Sequence, residues 1–232
     1  MIDPEQELKL SGSLASFLDE EILPDGPALA EREFYVEEKL LGKRESRFVS
    51  EGGVRMVRVD SYDITVDDLE PLAARRVGID DVRLVLLKFA FMIQQLPTSR
   101  RYSTVSVRVT LRPATPALML RARAAPDWPG AAAAAHRTES IPVVTGVNNG
   151  LEGFGWTFEA HDGAPLHPHV EFTVAMLELP LATVSLDGLF DAEAMISRRM
   201  FGTFTPRRAA PLNSAAEFSV NLPRSCPAAG NP

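Results

Sequence analysis

The sequence predicts an α+β fold dominated by antiparallel strand, a sandwich or curled sheet with a few short helices packed to one side. Three observations predict it. Short β-branched and aromatic runs recur with turn residues between them. Strands and helices do not alternate in the βαβ manner, and no internal repeat of fixed period is present. At 232 residues the chain is expected to form one α+β domain over 1–222, or two lobes divided near 126–138, with a mobile tail over 223–232.

In order along the chain, Ser11-Gly12-Ser13 can cap an amphipathic helix whose Leu14, Phe17, Leu18 and Ile22 fall on one side. Pro24-Asp25-Gly26-Pro27 ends it. Strands are predicted at Phe34–Val36, Arg47–Val49 and Val54–Val59, with Glu51-Gly52-Gly53 as a hairpin turn between the last two. Thr65 to Glu70 reads as a helix start, Pro71 falls within about the first turn, where it is tolerated, and Gly78 closes the helix. The segment 80–97 reads both ways. Val82, Val85, Leu86, Phe89 and Ile93 suit a helix capped by Asp80-Asp81, whereas Val85, Leu87, Phe89, Phe91 and Ile93 alternate as a strand. Length and the acidic cap favour the helix.

Tyr102 to Leu111 alternates for ten residues and is the best strand of the sequence. Pro126 to Arg137, with Trp128-Pro129-Gly130 and a run of alanines, reads as a loop or a short helix inside a connection. Further strands are expected at Ser140–Thr145, Trp156–Ala160, Val170–Leu179, Ala182–Leu186 and Glu217–Leu222. The run from Gly146 to Gly150 and the pair Asp162-Gly163 supply turns among them.

Composition narrows the function. The net charge is −7, and residues 1–40 carry eleven carboxylates against three cations, so the rest is close to neutral. An acidic front and the lack of a basic stripe argue against a nucleic-acid partner. The start lacks the basic and apolar regions of a secretory signal, and Val82 to Ile93 is too short and too charged to span a bilayer. With Cys226 the sole cysteine, no internal disulfide can form, and the expected compartment is the cytoplasm without membrane association. Only four of the 24 basic residues are lysine, a usage that fits a bacterial chain from a GC-rich genome.

Candidate sites are few. His161, His167 and His169 fall within nine residues, and His167 and His169 would share a side if extended, which suits a divalent metal with Asp162 or Glu171 as an oxygen donor. The plainer reading is a proline-punctuated turn entering the Val170 strand, and no cofactor is expected. Gly153-Phe154-Gly155 precedes a strand, the wrong setting for a dinucleotide, and neither a serine elbow nor a phosphate loop is present. Arginine occurs in pairs: Arg75-Arg76, Arg100-Arg101, Arg198-Arg199 and Arg207-Arg208. The last two bracket Phe201 and Phe204, which makes one segment both aromatic and basic. Arginine forks bind carboxylate or phosphate bidentately.

These features predict a non-enzymatic interaction or scaffold protein of a bacterial multiprotein system. Its expected contact residues are Arg198, Arg199, Phe201, Phe204, Arg207 and Arg208, and its expected partner is a protein. One alternative is a metal-dependent hydrolase built on the His161–His169 turn. Another is a small-ligand binder with a cavity lined by Phe154, Trp156 and Phe158.

Overall fold

The computed structural model describes residues 16–17, 27–39, 45–64, 82–112, 117–118, 143–148, 153–160, 166, 170–200 and 203–223. These form β1 (Ala30–Lys39), β2 (Ser46–Ile64), β3 (Val82–Ile93), β4 (Arg100–Arg112), β5 (Ala117–Leu118), β6 (Val143–Asn148), β7 (Phe154–Glu159), β8 (Val170–Pro180), β9 (Ser185–Met200), β10 (Thr203–Ala209) and β11 (Ala216–Asn221). One sheet runs β1-β2-β3-β8-β5 and the other β10-β9-β4-β7-β6, with β11 added on β9. Every pairing is antiparallel. β10 takes the C-terminal part of β9 and β11 its N-terminal part. Where β10 ends, Ala210 bridges to Tyr35 of β1 through reciprocal backbone bonds of 3.0 and 3.2 Å, which curls one sheet toward the other.

The expected α+β class is therefore corrected to all-β, since no helical element occurs among the described residues. The segment 80–97, read as a helix, is β3, and both of its faces explain the ambiguity. Val85, Leu87, Phe89, Phe91 and Ile93 point into the main core. Leu84 and Leu86 point to the opposite side, where Leu86 is buried with Ile64 and Val174 in a second small cluster. A strand covered on both faces is apolar at most positions, as β3 is apart from Arg83 and Lys88, so its period fades. The helix expected after Thr65, the boundary near 126–138, Trp128 and the tail beyond Pro223 lie outside the described residues. Of the helix expected over 14–22, Ser16 and Phe17 are described, both helical in backbone.

The core joins the inner faces of both sheets. Phe89 and Phe91 stack in parallel at 5.9 Å, and Trp156 tilts against them at 5.2 and 5.7 Å. Phe154, Phe158 and Phe190 close the ring cluster around them. Phe154, Trp156 and Phe158, expected to line a cavity, are at most 2% exposed and packed as core.

Two bulges keep the long β2 in register. Glu51 and Gly52 together oppose Phe34, because Glu33 pairs with Gly53 and Tyr35 with Ser50. The run expected to turn a hairpin is thus a bulge within one strand, and Gly52 supplies its positive φ of 102°. Against β3, Val57 is the extra residue between Met56 and Arg58. It shifts the inward set from Val54 and Met56 to Val59, which a one-residue slip demands.

Arg83 stitches one end of this core. From 7% side-chain exposure it donates to the carbonyls of Pro223 at 2.9 Å and Thr183 at 2.6 Å, and reaches Asp63 at 3.3 Å. Burial raises the Asp63 carboxyl above its ordinary pKa, with Arg83 opposing.

Candidate interaction surface

Successive side chains on a strand point to opposite faces, and this rule divides each described arginine pair. Arg100, Arg198 and Arg207 follow the inward alternation, at the rim beyond the core. Arg101, Arg199 and Arg208 follow the outward one, on the exposed face of the six-stranded sheet. The residues expected to act together therefore form two groups. Phe201 lies outside the described residues, as do His161, His167, His169 and the Arg75-Arg76 pair.

The inner-rim group is an ion network. Arg198 Nη1 lies 3.1 Å and Arg47 Nη2 3.0 Å from the Glu38 carboxylate. The Arg47 hydrogen bond, reinforced by the charges of Arg47, Arg198 and Arg207, holds Glu38 below the usual carboxylate pKa against the effect of burial. Behind it, the bulge turns Glu51 inward against Arg100. Burial pushes the Glu51 carboxyl up, while Arg100, Arg198 and Arg207 pull it down and Glu38 raises it further. Tyr102, whose hydroxyl accepts the Gly53 N–H at 3.1 Å, is raised to about 12, chiefly by burial.

The outer-face group is more open. Phe204 sits opposite Arg199 in the β9–β10 hairpin. The guanidinium carbon of Arg101 stands 3.9 Å from the Phe204 ring centre, within cation–π range. Phe204 is 37% exposed, and Arg199 beside it is exposed as well. Further along the same face Arg208 Nε donates to Glu193 Oε2 at 3.0 Å, and Nη2 donates to the same oxygen.

Between β10 and β11, the segment from Ala210 to Ala215 crosses the stretch of β9 that neither strand pairs with. Arg32 fastens it. Its guanidinium donates to the carbonyls of Asn213 and Ser214, each at 2.6 Å. Asp191 stands 3.3 Å away, with the two side chains 6% and 50% exposed respectively. On either side of this segment lies a depression. One of about 440 Å³ is bordered by Glu31, Glu33, Tyr35 and Arg55. The other, about 380 Å³ on the outer sheet face, is bordered by Ser106, Arg108, Thr157, Asp191, Glu193 and Arg208 among others. Ser106 and Thr157 share a hydroxyl hydrogen bond of 3.1 Å. The described residues include no histidine or cysteine, and among them no group of three or more metal-type side chains converges.

Arg32, Arg108 and Asp191 were not singled out from the sequence. One signal was present for Arg32: it occupies the apolar register of Ala30, Phe34 and Val36, where a cation requires partners.

Among the described residues no helix is long and apolar enough to cross a membrane. No family model matches the sequence, and no curated protein matches it. Solved structures to which the chain has a slight likeness include a cohesin module from a Clostridium perfringens family 33 glycoside hydrolase, at 8% identity over 71% of this chain and 96% of that one, with a TM-score of 0.35. Clostridium perfringens delta-toxin follows at 8% identity, 80% and 94% coverage and a TM-score of 0.31. The collagen binding domain of Erysipelothrix rhusiopathiae surface protein RspB has 8% identity, 83% and 59% coverage and a TM-score of 0.27. Likeness this slight carries no argument about what the chain does.

Proposed function

We propose that the protein is a non-enzymatic binding module that takes a protein partner on the outer face of its six-stranded sheet, at the corner formed by Phe204, Arg101, Arg199 and Arg208. The observation that carries this reading is the Phe204 ring, part-exposed and braced by the Arg101 guanidinium beside exposed Arg199. An aromatic ring flanked by arginines concentrates binding energy, since each offers large contact area with directed hydrogen bonds. Paired strands fix the backbones that carry these groups, so less freedom is lost on docking than in a mobile loop. The guanidinium groups favour an acidic partner segment and make association sensitive to salt.

The test is capture of partners by the tagged full-length protein from its native lysate, with low- and high-salt washes. Phe204→Ala and Arg199→Glu are run beside it, with Arg207→Glu as an inner-rim comparison. A stoichiometric protein retained by wild type, lost with Phe204→Ala and Arg199→Glu, and kept by Arg207→Glu supports the outer face as the binding surface. Equal retention by all three variants sinks it.

A further inference from the structure

The second face of the five-stranded sheet poses a separate question. Leu86 is 2% exposed and Val174 8%, although both point away from the main core. Lys88, on the same side of β3, is 3% exposed. A lysine at mid-strand reaches that degree of burial only beneath a cover that also supplies it with polar partners. The cover is visible at Phe17. Its ring lies 5.3 Å from that of Tyr62, the Lys88 ammonium stands 5.8 Å from the ring centre, and Lys88 Nζ donates to the Phe17 carbonyl at 3.0 Å.

We infer that the outer face of β2, β3 and β8 around Tyr62, Leu86 and Lys88 is a docking surface for an acidic amphipathic segment, and that its resident occupant is the chain's own N-terminal segment, seated through Phe17. The chemistry of that segment matches the face. Leu14, Leu18 and Ile22 fall at helical spacing with Phe17, and Asp19-Glu20-Glu21 runs between Leu18 and Ile22. Apolar residues suit the Tyr62–Leu86–Val174 surface, and the carboxylates suit Lys88. Phe17 lies 45 residues before Tyr62 and 71 before Lys88 in sequence, so the contact is tertiary and Phe17 straps a distant part of the chain to this face.

Lysine labelling tests this on the full chain, which holds only Lys9, Lys39, Lys43 and Lys88. Each can be followed separately by mass spectrometry after reductive methylation. Lys88 is expected to react slowly in wild type and roughly tenfold faster in Phe17→Asp, because a partly buried aromatic contributes about that much to holding the cover closed. Phe17→Leu should retain the protection. A synthetic peptide of residues 11–24 added to Phe17→Asp should slow Lys88 again. Near-ultraviolet circular dichroism verifies that the sheets remain packed, and Phe17→Ala serves should the aspartate variant lose that signal. An unchanged Lys88 rate in a folded Phe17 variant would overturn the strap. Failure of the peptide to restore protection would overturn the face as a docking surface.

Discussion

Replacing Arg32 by methionine removes the guanidinium while keeping most of the stem, on the same buried face of β1 as Phe34. Three interactions go with it: two hydrogen bonds of 2.6 Å to the Asn213 and Ser214 carbonyls and the 3.3 Å contact with Asp191. A hydrogen bond from a charged donor contributes about 1.5–3 kcal/mol. Asn213 and Ser214 are exposed, so water can take over part of the carbonyls' requirement, and freedom regained by the longer side chain offsets some of the rest. The expected loss is about 3 kcal/mol, which for a urea slope of about 2–3 kcal/mol/M lowers the unfolding midpoint by roughly 1–1.5 M. Asp191→Asn should cost less than about 1 kcal/mol, since that carboxylate is half exposed and its pairing is screened. Urea unfolding followed by tryptophan fluorescence measures both. If Asp191→Asn proves as costly as Arg32→Met, the ion pair outweighs carbonyl capture and the account of Arg32 as a fastener of the crossing segment is wrong.

Two glycines should differ in what they tolerate. A Cβ on Gly155 would lie 2.0 Å from the Val107 carbonyl oxygen of the neighbouring strand, so Gly155→Ala should cost about 3 kcal/mol or prevent folding, as seen in soluble yield and urea midpoint. At Gly188 the nearest atoms belong to the Phe218 ring at 2.5 Å, which can tilt, and Gly188→Ala should cost about 1–2 kcal/mol by the same measurement. The carboxylates predict opposing pH trends. Glu51 has a raised folded pKa, so the folded state holds its proton more tightly; its contribution falls as pH rises from the ordinary carboxylate value of 4.5 through the folded value. Glu38 has a lowered folded pKa, so its contribution is present above 4.5 and is lost as pH falls through the folded value. Urea midpoints measured from acid to neutral pH should therefore lose their Glu51-linked decline in Glu51→Gln, and a decline that persists unchanged would rule Glu51 out as its source. Phe204→Ala, tested above for partner capture, should leave the unfolding free energy within about 0.5 kcal/mol of wild type, as expected for a surface side chain.

How legible the fold was depended on where each strand faces water. β4 and β11 alternate buried and exposed positions, and both were readable because one face is wet. β3 hid because both faces are covered, which makes its pattern continuous and equally compatible with a helix. β9 hid for another reason. Its inner positions include Gly188, Ala192 and Ala194, residues too small to mark an apolar stripe, and its outer positions hold Asp187, Asp191 and Glu193. Phe218 lies over Gly188 from β11 and supplies the missing bulk, a compensation visible only once strand order is known. The bulge at Glu51 was misread for the same reason: two glycines announce a backbone irregularity, but only the partner strand decides whether the chain turns or continues. For the site, the arginine pairs were conspicuous in sequence, yet their division between two faces requires knowing that they lie on strands.

The four sheet faces now assign themselves different tasks. The two inner faces make the core, and arginines close it with backbone carbonyls: Arg32 through Asn213 and Ser214, Arg83 through Thr183 and Pro223. The outer face of the five-stranded sheet carries Phe17 over Tyr62 and Lys88. The outer face of the six-stranded sheet carries short hydroxyl side chains, Ser106 and Thr157, with charged groups around them and Phe204 at its corner. Short side chains on paired strands lose little freedom when covered, and the charges around them keep the face soluble while it is free. If both outer faces bind, they do so differently. Occupation of the first requires displacing the Phe17 strap, whereas the second is open to direct docking. A partner bound at Phe204 should therefore leave the Lys88 labelling rate unchanged, and one bound in place of Phe17 should change it.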